Sequence, residues 1–267
     1  MADSIRLERH EGWRKLVLNR PHKLNAFNEE MHLLLSQALD DAALDLECRA
    51  LLLTGEGRGF CAGQDLNDRM GADFSKIDLG RTIERFYNPL IRKLRSLPKP
   101  IVCAVNGVAA GAGANIALAC DIVLAARSAR FVQAFTRIGL IPDCGGTFLL
   151  PRLVGDARAR ALVLTAEPLP AETAASWGLI WKSLDDDKLI DEAEALTAHL
   201  ATQPTQALAL CKRALAASAA NTLDTQLDLE RDLQREAGRT PDYQEGVTAF
   251  LEKRQPHFTG RPRSTVM

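Results

Sequence analysis

The chain has 267 residues, 46% hydrophobic and 25% charged, a composition that is typical of a globular protein and excludes extensive disorder. Its 33 Lys and Arg residues nearly balance 34 Asp and Glu residues, so the net charge of -1 disfavours a general nucleic-acid binder. The longest apolar stretch, from Ile101 to about Ala125, is interrupted by polar residues and glycines, and it therefore predicts no membrane-spanning helix.

In chain order, the first half alternates strands with helices. Strand-like runs at 5–8 and 14–18 flank Glu11-Gly12 and predict a hairpin. Apolar residues at helical spacing predict a helix over 28–44, with Asn28 as its N-cap. The other elements predicted in this half are a strand over 50–54, a helix over 79–97 ended by Pro98, a strand over 101–105, a helix over 112–119 and a strand over 121–125.

Strands and helices that alternate at this pitch imply parallel strands joined by right-handed crossovers, and hence the α/β class. From Gly145 onward helices dominate, with one strand-like run at 179–183. Four further helices are predicted near 189–201, 205–217, 223–236 and 243–252. We expect residues 1–200 to form the core, and residues 201–267 to form a helical C-terminal region of the same functional unit.

The six cysteines and five histidines are scattered, without any CxxC, HxxxH or HExxH pattern. Disulfide frameworks and zinc sites need dense or paired spacing. The sequence therefore predicts reduced, mostly buried thiols and no metal site. Because the charged N-terminus also lacks an apolar segment, we expect a cytoplasmic protein.

Two glycine-rich turns follow predicted strands, at 59–65 and 106–114. Small residues let a ligand touch the backbone, and a helix start leaves N–H groups without partners. If the two turns converge, they supply two amide donors for a developing oxyanion. The alternative is that the glycines only permit tight turns and close packing. Neither turn carries a Walker or GxGxxG pattern, so nucleotide binding of those kinds is not predicted.

A third segment places Asp143 between an apolar run and the glycine pair Gly145-Gly146. One interpretation is a helix N-cap, which is a common use of such an aspartate. The other is a carboxyl group that points into a cavity, where apolar walls raise its pKa and suit it to proton transfer.

Three motifs resemble the crotonase (enoyl-CoA hydratase/isomerase) superfamily: GRGFCAGQDL at 57–66, SLPKPIVCAVNGVAAGAGANIALACD at 96–121 and GLIPDCGGTFLLPRLVG at 139–155. The resemblance extends from about Ile5 to Arg261. It implies an α/β, crotonase-like spiral of ββα units with a helical C-terminal trimerisation region, in a homotrimer or a dimer of trimers. It also implies acyl-CoA substrates, with coenzyme A as part of the substrate and no separate cofactor, no nucleic acid and no membrane.

By the same resemblance, the oxyanion donors are the backbone N–H groups of Gln64 and Ala112, and the catalytic acid is Asp143. The expected substrate-binding residues are Ala62, Asp65, Leu66, Asn67, Gly111, Asn115, Phe135, Lys23 and Lys253. We expect Asn115 to orient substrate by hydrogen bonding. The two lysines are expected near the nucleotide of coenzyme A, although a solvated surface lysine is the ordinary alternative for each.

The sequence departs from the hydratases of this superfamily, which resemble each other in carrying two glutamates where this chain has Asn115 and Phe135. Neither side chain exchanges a proton at neutral pH, so addition of water is disfavoured. The combination with Asp143 resembles the phenylacetate-pathway isomerase subfamily, which implies conversion of ring-1,2-epoxyphenylacetyl-CoA to oxepin-CoA. The alternatives are a Δ3,Δ2-enoyl-CoA isomerase, an enoyl-CoA hydratase that uses Asp143, and a non-catalytic acyl-CoA-binding subunit. Phe74 and Phe86 either face an aromatic acyl group or belong to the core.

Overall fold

A computed structural model describes residues 3–66 and 77–261. Its strands are β1 (Ile5–His10), β2 (Trp13–Leu18), β3 (Ala50–Gly55), β4 (Gly59–Cys61), β5 (Ile101–Val105), β6 (Val108–Ala110), β7 (Ile122–Ala126), β8 (Arg130–Val132), β9 (Leu169–Pro170) and β10 (Lys182–Leu184). Its α-helices are α1 (Glu29–Leu44), α2 (Leu79–Thr82), α3 (Asn88–Ser96), α4 (Ala112–Ala119), α5 (Gly146–Val154), α6 (Asp156–Thr165), α7 (Ala171–Ser176), α8 (Leu189–Ala201), α9 (Thr205–Ser218), α10 (Leu223–Ala237) and α11 (Pro241–Glu252).

The strands form two sheets that the chain visits in turn. The larger sheet has the order β1-β2-β3-β5-β7-β10 and is parallel except for the β1–β2 hairpin. The smaller sheet has the order β4-β6-β8-β9. After each of β3, β5 and β7 the chain crosses to one short strand of the smaller sheet, and this repeat confirms the predicted spiral of ββα units.

The core lies on both faces of the larger sheet. Every residue of β3 and of β5 is buried, as expected for parallel strands that are covered on two sides. Helix α8 packs on β3 and β5, while α1 packs on the β1–β2 hairpin. Asn28 caps α1 as predicted, because its side chain accepts a hydrogen bond from the backbone N–H of Met31.

Three details of the sequence prediction are wrong. The smaller sheet was not predicted, since its strands have only two or three residues each. The helix expected over 79–97 is divided by a π-helical segment, Ile83–Tyr87. The strand expected over 179–183 is β10, which begins three residues later. The backbone N–H of Trp181 donates to Val123 O, but residue-by-residue pairing with β7 starts only at Lys182.

All six cysteines are unpaired thiols, and five of them are buried, as the sequence predicted. Every helix within residues 3–66 and 77–261 is too short or too polar to cross a bilayer.

Candidate active site

The two glycine-rich turns meet at the edge of the smaller sheet. A Cβ atom built on Gly63 would lie 3.0 Å from the carbonyl oxygen of Ala110 and 3.5 Å from the backbone nitrogen of Ala112. This approach is possible because Gly63 has no side chain and adopts φ +92°. The convergence that the sequence left open is therefore present in the fold.

Hydrogen bonds and close packing hold both turns in place. The backbone N–H of Phe27 donates to Gly63 O at 2.7 Å, and the N–H of Asp65 donates to Phe27 O at 2.9 Å. On the other turn, the N–H of Gly111 donates to Val132 O at 2.8 Å. A Cβ on Gly113 would lie 2.4 Å from Cys61 O, so α4 can begin this close to β4 only with a glycine there.

The N–H groups of Gln64 and Ala112 donate no hydrogen bond to any residue that the structure describes. Ala112 is the first residue of α4, where backbone N–H groups lack partners within the helix and the helix dipole is positive. Two adjacent free donors of this kind are suited to binding an oxygen atom that gains negative charge.

Asp143 lies on the loop before α5 and does not cap that helix. The N-cap of α5 is Gly145, and no side chain caps the helix end. Cys144 and Gly145 both have left-handed backbone conformations, with φ values of 52° and 76°. Of the two interpretations of Asp143, the structure therefore supports the carboxyl group in a cavity.

The carboxyl group of Asp143 is in an environment that favours its neutral form. Its Oδ1 atom is buried and has no hydrogen-bond partner among the described residues. Burial raises the pKa of this carboxyl above its ordinary value, and the Cys144 thiol offsets only part of that effect. A carboxyl with a raised pKa both takes and returns protons more readily near neutral pH.

A cavity of about 1060 Å³ joins these groups. Its described lining includes residues of the two turns, the loop that carries Asp143, and mostly apolar side chains. Tyr87 and Phe135 are the aromatic members of this wall, and both are buried. Asp143 is the one carboxyl group among the described lining residues.

Seven of the expected site residues contribute to this lining: Ala62, Gln64, Leu66, Gly111, Ala112, Phe135 and Asp143. Asn67 and Phe74 lie outside the described residues. Lys23 and Lys253 are exposed on the surface and are not part of the cavity lining. Phe86 also lies outside the described lining, where it stacks on His32.

Two expected substrate-binding residues are buried and contact other residues of the chain. Asp65 pairs with Arg20 at 2.9 Å and is not in the described cavity lining. Asn115 is fully buried behind the cavity, and its Nδ2 donates to Asp143 O at 2.8 Å. Its Oδ1 accepts from Gln133 at 2.9 Å. Both polar atoms of the Asn115 amide therefore contact other residues of the chain, and its expected hydrogen bond to substrate stays a prediction.

Sequence reasoning missed two residues at this site. Tyr87 ends the π-helical segment, whose extra residue per turn has no sequence signal. Gln133 follows β8 and reaches Asn115 only through the packing of the two sheets. Within residues 3–66 and 77–261, no cluster of His, Cys, Asp or Glu side chains could hold a metal ion.

Comparisons with known proteins show the family of this chain. The sequence profile of a family described as Enoyl-CoA hydratase/isomerase matches residues 8–261. The chain is 59% identical to 1,2-epoxyphenylacetyl-CoA isomerase of Escherichia coli K12, over 98% of this chain and 100% of that protein. It is 37% identical to 2,3-dehydroadipyl-CoA hydratase of the same organism, over 92% of this chain and 94% of that protein.

Among solved structures, an enoyl-CoA hydratase from Bacillus anthracis superposes with a TM-score of 0.89. The two chains are 30% identical, and the match covers 97% of this chain and 100% of the other. Because relatives named isomerase and relatives named hydratase share this fold, the side chains of the cavity decide between the two reactions.

Proposed function

The chain belongs to the enoyl-CoA hydratase/isomerase family, and we propose that it is an acyl-CoA isomerase that moves one proton between carbons of its substrate. The N–H groups of Gln64 and Ala112 hold the thioester oxygen. Asp143 removes a proton from the carbon next to the thioester, and the electron pair of the broken C–H bond moves towards that oxygen. Asp143 then returns the proton to another carbon of the conjugated system, so the product has the mass of the substrate.

The observation that carries this proposal is that the described lining of one cavity holds a single carboxyl group together with two free amide donors. One acid with a raised pKa is sufficient to take a proton and return it. Addition of water needs a second group to activate the water, and the wall carries Phe135 instead. The dry wall also disfavours attack by solvent on the enolate.

We propose ring-1,2-epoxyphenylacetyl-CoA as the substrate and oxepin-CoA as the product. In this conversion the C–C bond between the two epoxide carbons opens, and its electron pair enters the double bonds of the seven-membered ring. The proton moves from the carbon next to the thioester to a ring carbon, so no atom is gained or lost. Support comes from the Escherichia coli relative of that name, which is 59% identical over nearly the whole chain. The aromatic side chains of Tyr87 and Phe135 in the wall suit a ring-bearing acyl group. A Δ3,Δ2-enoyl-CoA isomerase activity uses the same proton relocation, and it remains the second candidate for this site.

A mass-spectrometric screen of acyl-CoA thioesters in D2O tests the proposal. We expect products of unchanged heavy-atom composition that carry deuterium from solvent at the carbon that receives the proton, not at the carbon next to the thioester. Wild-type protein and an Asp143→Asn variant are compared on the same panel. Products that gain one water would support the hydratase alternative. Binding of acyl-CoA without any exchange or product would support the non-catalytic alternative.

Coenzyme A is part of the substrate, and we propose that no separate cofactor takes part. The proton relocation requires only backbone donors and one carboxyl group. An unchanged rate after dialysis against a chelator is the expected result, and a rate restored only by added metal would contradict it.

We also propose that Lys23 and Lys253 contribute positive charge near the nucleotide of coenzyme A. Charge-reversal variants of the two lysines test this, because they should raise KM.

We further propose that the C-terminal helices pair with other copies of the chain in a homotrimer or a dimer of trimers. Large apolar side chains are exposed on α10 and α11, among them Leu223, Leu227, Phe250 and Leu251. Exposed apolar surface of this kind is typical of an interface. Light scattering of the purified protein gives the number of copies, and a monomer at micromolar concentration would contradict the proposal.

A further inference from the structure

A line of buried amide groups lies directly behind the loop that carries Asp143. The Nε2 atom of Gln133 donates to Oδ1 of Asn115 at 2.9 Å, and Nδ2 of Asn115 donates to the backbone oxygen of Asp143 at 2.8 Å. Asn115 is fully buried, and Gln133 is 3% exposed. No sequence motif pairs these two amides, and neither is in the described cavity lining.

The direction of this line is fixed by its last member. A backbone carbonyl oxygen only accepts hydrogen bonds, so the Asn115 atom that faces Asp143 O must be the amide nitrogen. The Oδ1 atom of Asn115 therefore faces Gln133, which must present its own amide nitrogen. A carboxylate at position 133 would place an acceptor against an acceptor and break the line.

The Asp143 carboxyl group depends on this support because its own contacts are few, namely the Cys144 thiol and its own backbone N–H. Its Oδ1 has no partner among the described residues, whereas its backbone oxygen accepts two hydrogen bonds, from Asn115 and from the N–H of Gly146 at 2.9 Å. A Cβ on Gly146 would lie 2.3 Å from Nδ2 of Asn115, so the loop packs tightly on this amide.

We propose that Gln133 is a positioning residue for proton transfer. It holds Asn115 in the orientation that fixes the Asp143 backbone, and this in turn aims the carboxyl group into the cavity. Gln133 comes directly before the 3₁₀ segment that carries Phe135, so the same hydrogen bonds connect the segment of Phe135 with the loop of Asp143. The inference rests on the proposed role of Asp143.

The test compares Gln133→Glu and Gln133→Met, which have nearly the same length as glutamine. Thr197→Val is the matched control, because Thr197 is a fully buried residue on α8 whose side chain donates to Ala193 O at 2.7 Å, away from the cavity. The assay follows a 3-enoyl-CoA thioester through the absorbance of its conjugated product. Thermal unfolding is measured for every variant.

For both Gln133 variants we expect kcat to fall by about 100-fold, the effect of roughly 1 Å of misplacement, while KM changes less than about threefold. The acid limb of the pH profile should also move to lower pH, because a loosened loop admits water to the carboxyl. Thr197→Val should lose stability without either kinetic change. If one Gln133 variant fails to fold, the other still decides the question.

Wild-type kcat and pH profile in a folded Gln133 variant would overturn the positioning role. That failure is distinct from failure of the proposed function. If Asp143→Asn retained full turnover, the proposed function itself would be wrong. If Asp143→Asn were inactive while the Gln133 variants behaved like Thr197→Val, only the inference about Gln133 would be wrong.

Discussion

Replacing Asp143 by asparagine should abolish proton transfer and yet stabilise the protein at neutral pH. The rate loss expected for removing a general acid–base group is about 100- to 10,000-fold. The gain in stability follows from burial. The Asp143 carboxyl has a raised pKa and one oxygen without a partner among the described residues, so its ionised form is penalised in the folded state. Asparagine carries no charge to desolvate, and removal of this penalty is worth about 1 kcal/mol, or roughly 3 °C in Tm for a chain of this size.

The pH dependence has a definite sign. Because the pKa of Asp143 is higher in the folded than in the unfolded state, the folded state binds more protons in the interval between the two values. The wild-type protein therefore loses stability as pH rises through that interval. The advantage of Asp143→Asn should be full at pH 7 and should disappear as pH falls below the unfolded pKa.

Asp121 provides a matched control for this prediction. Burial raises the pKa of Asp121 as well, but its carboxylate accepts from Lys212 Nζ at 2.7 Å and from the N–H of Ile101 at 2.8 Å. Asp121→Asn should therefore destabilise the protein, by about 2 kcal/mol, with little change in kcat. Thermal unfolding of both variants from about pH 4 to pH 8 decides the matter. Equal destabilisation of both at neutral pH would refute the assignment of Asp143 as an unsupported carboxyl.

Three further changes test other parts of the structure. Gly63→Ala should lower the free energy of unfolding by at least about 1 kcal/mol and reduce kcat by more than tenfold, because φ is +92° and the new Cβ would contact Ala110 O too closely. A normal rate would contradict the assignment of this turn to the oxyanion site. Burial lowers the pKa of His32 to about 4, so the folded protein loses stability as pH falls below the pKa of the unfolded state. His32→Leu should remove this loss, which is worth about 3 kcal/mol of unfolding free energy between pH 7 and pH 4. An unchanged pH profile of Tm would contradict this. Phe135→Ala should lower the free energy of unfolding by about 3 kcal/mol and let water into the cavity. Part of the product should then gain the mass of one water. An unchanged set of products would show that the phenyl ring does not exclude solvent.

The parts of the fold that the sequence predicts are those with long, periodic patterns. The continuous apolar run of β5 and the capped, amphipathic α1 are visible in the sequence, and the predicted bounds of α8 match its bounds in the structure. The smaller sheet has strands of two or three residues, which are too short for any periodicity to appear. The π-helical segment that places Tyr87 also lacks a local signal, because packing decides where one extra residue enters a turn.

The features of the site also differ in whether they have a sequence pattern or depend on packing. The glycine turns and the family resemblance single out Gln64 and Asp143 in the sequence, and the structure places both in the lining of one cavity. The direction of a buried amide could not be predicted, because Asn115 reads equally well as a ligand of the substrate or as a ligand of the backbone. Its two hydrogen bonds depend on which elements meet across the fold, and that is set by the packing of α4, β8 and the loop before α5.

A carboxyl group that exchanges protons is subject to two opposing demands. Hydrogen bonds to its oxygens would fix its position, but they would also stabilise its ionised form and lower its pKa. This structure separates the two demands by holding the backbone oxygen of Asp143 with Asn115 and Gly146 while leaving Oδ1 unbonded to any described residue. Position is then supplied through the main chain, and the pKa remains under the control of burial. The resemblance aligns Asn115 with a glutamate of the hydratases. Here its amide restrains the backbone of Asp143, and it exchanges no proton at neutral pH.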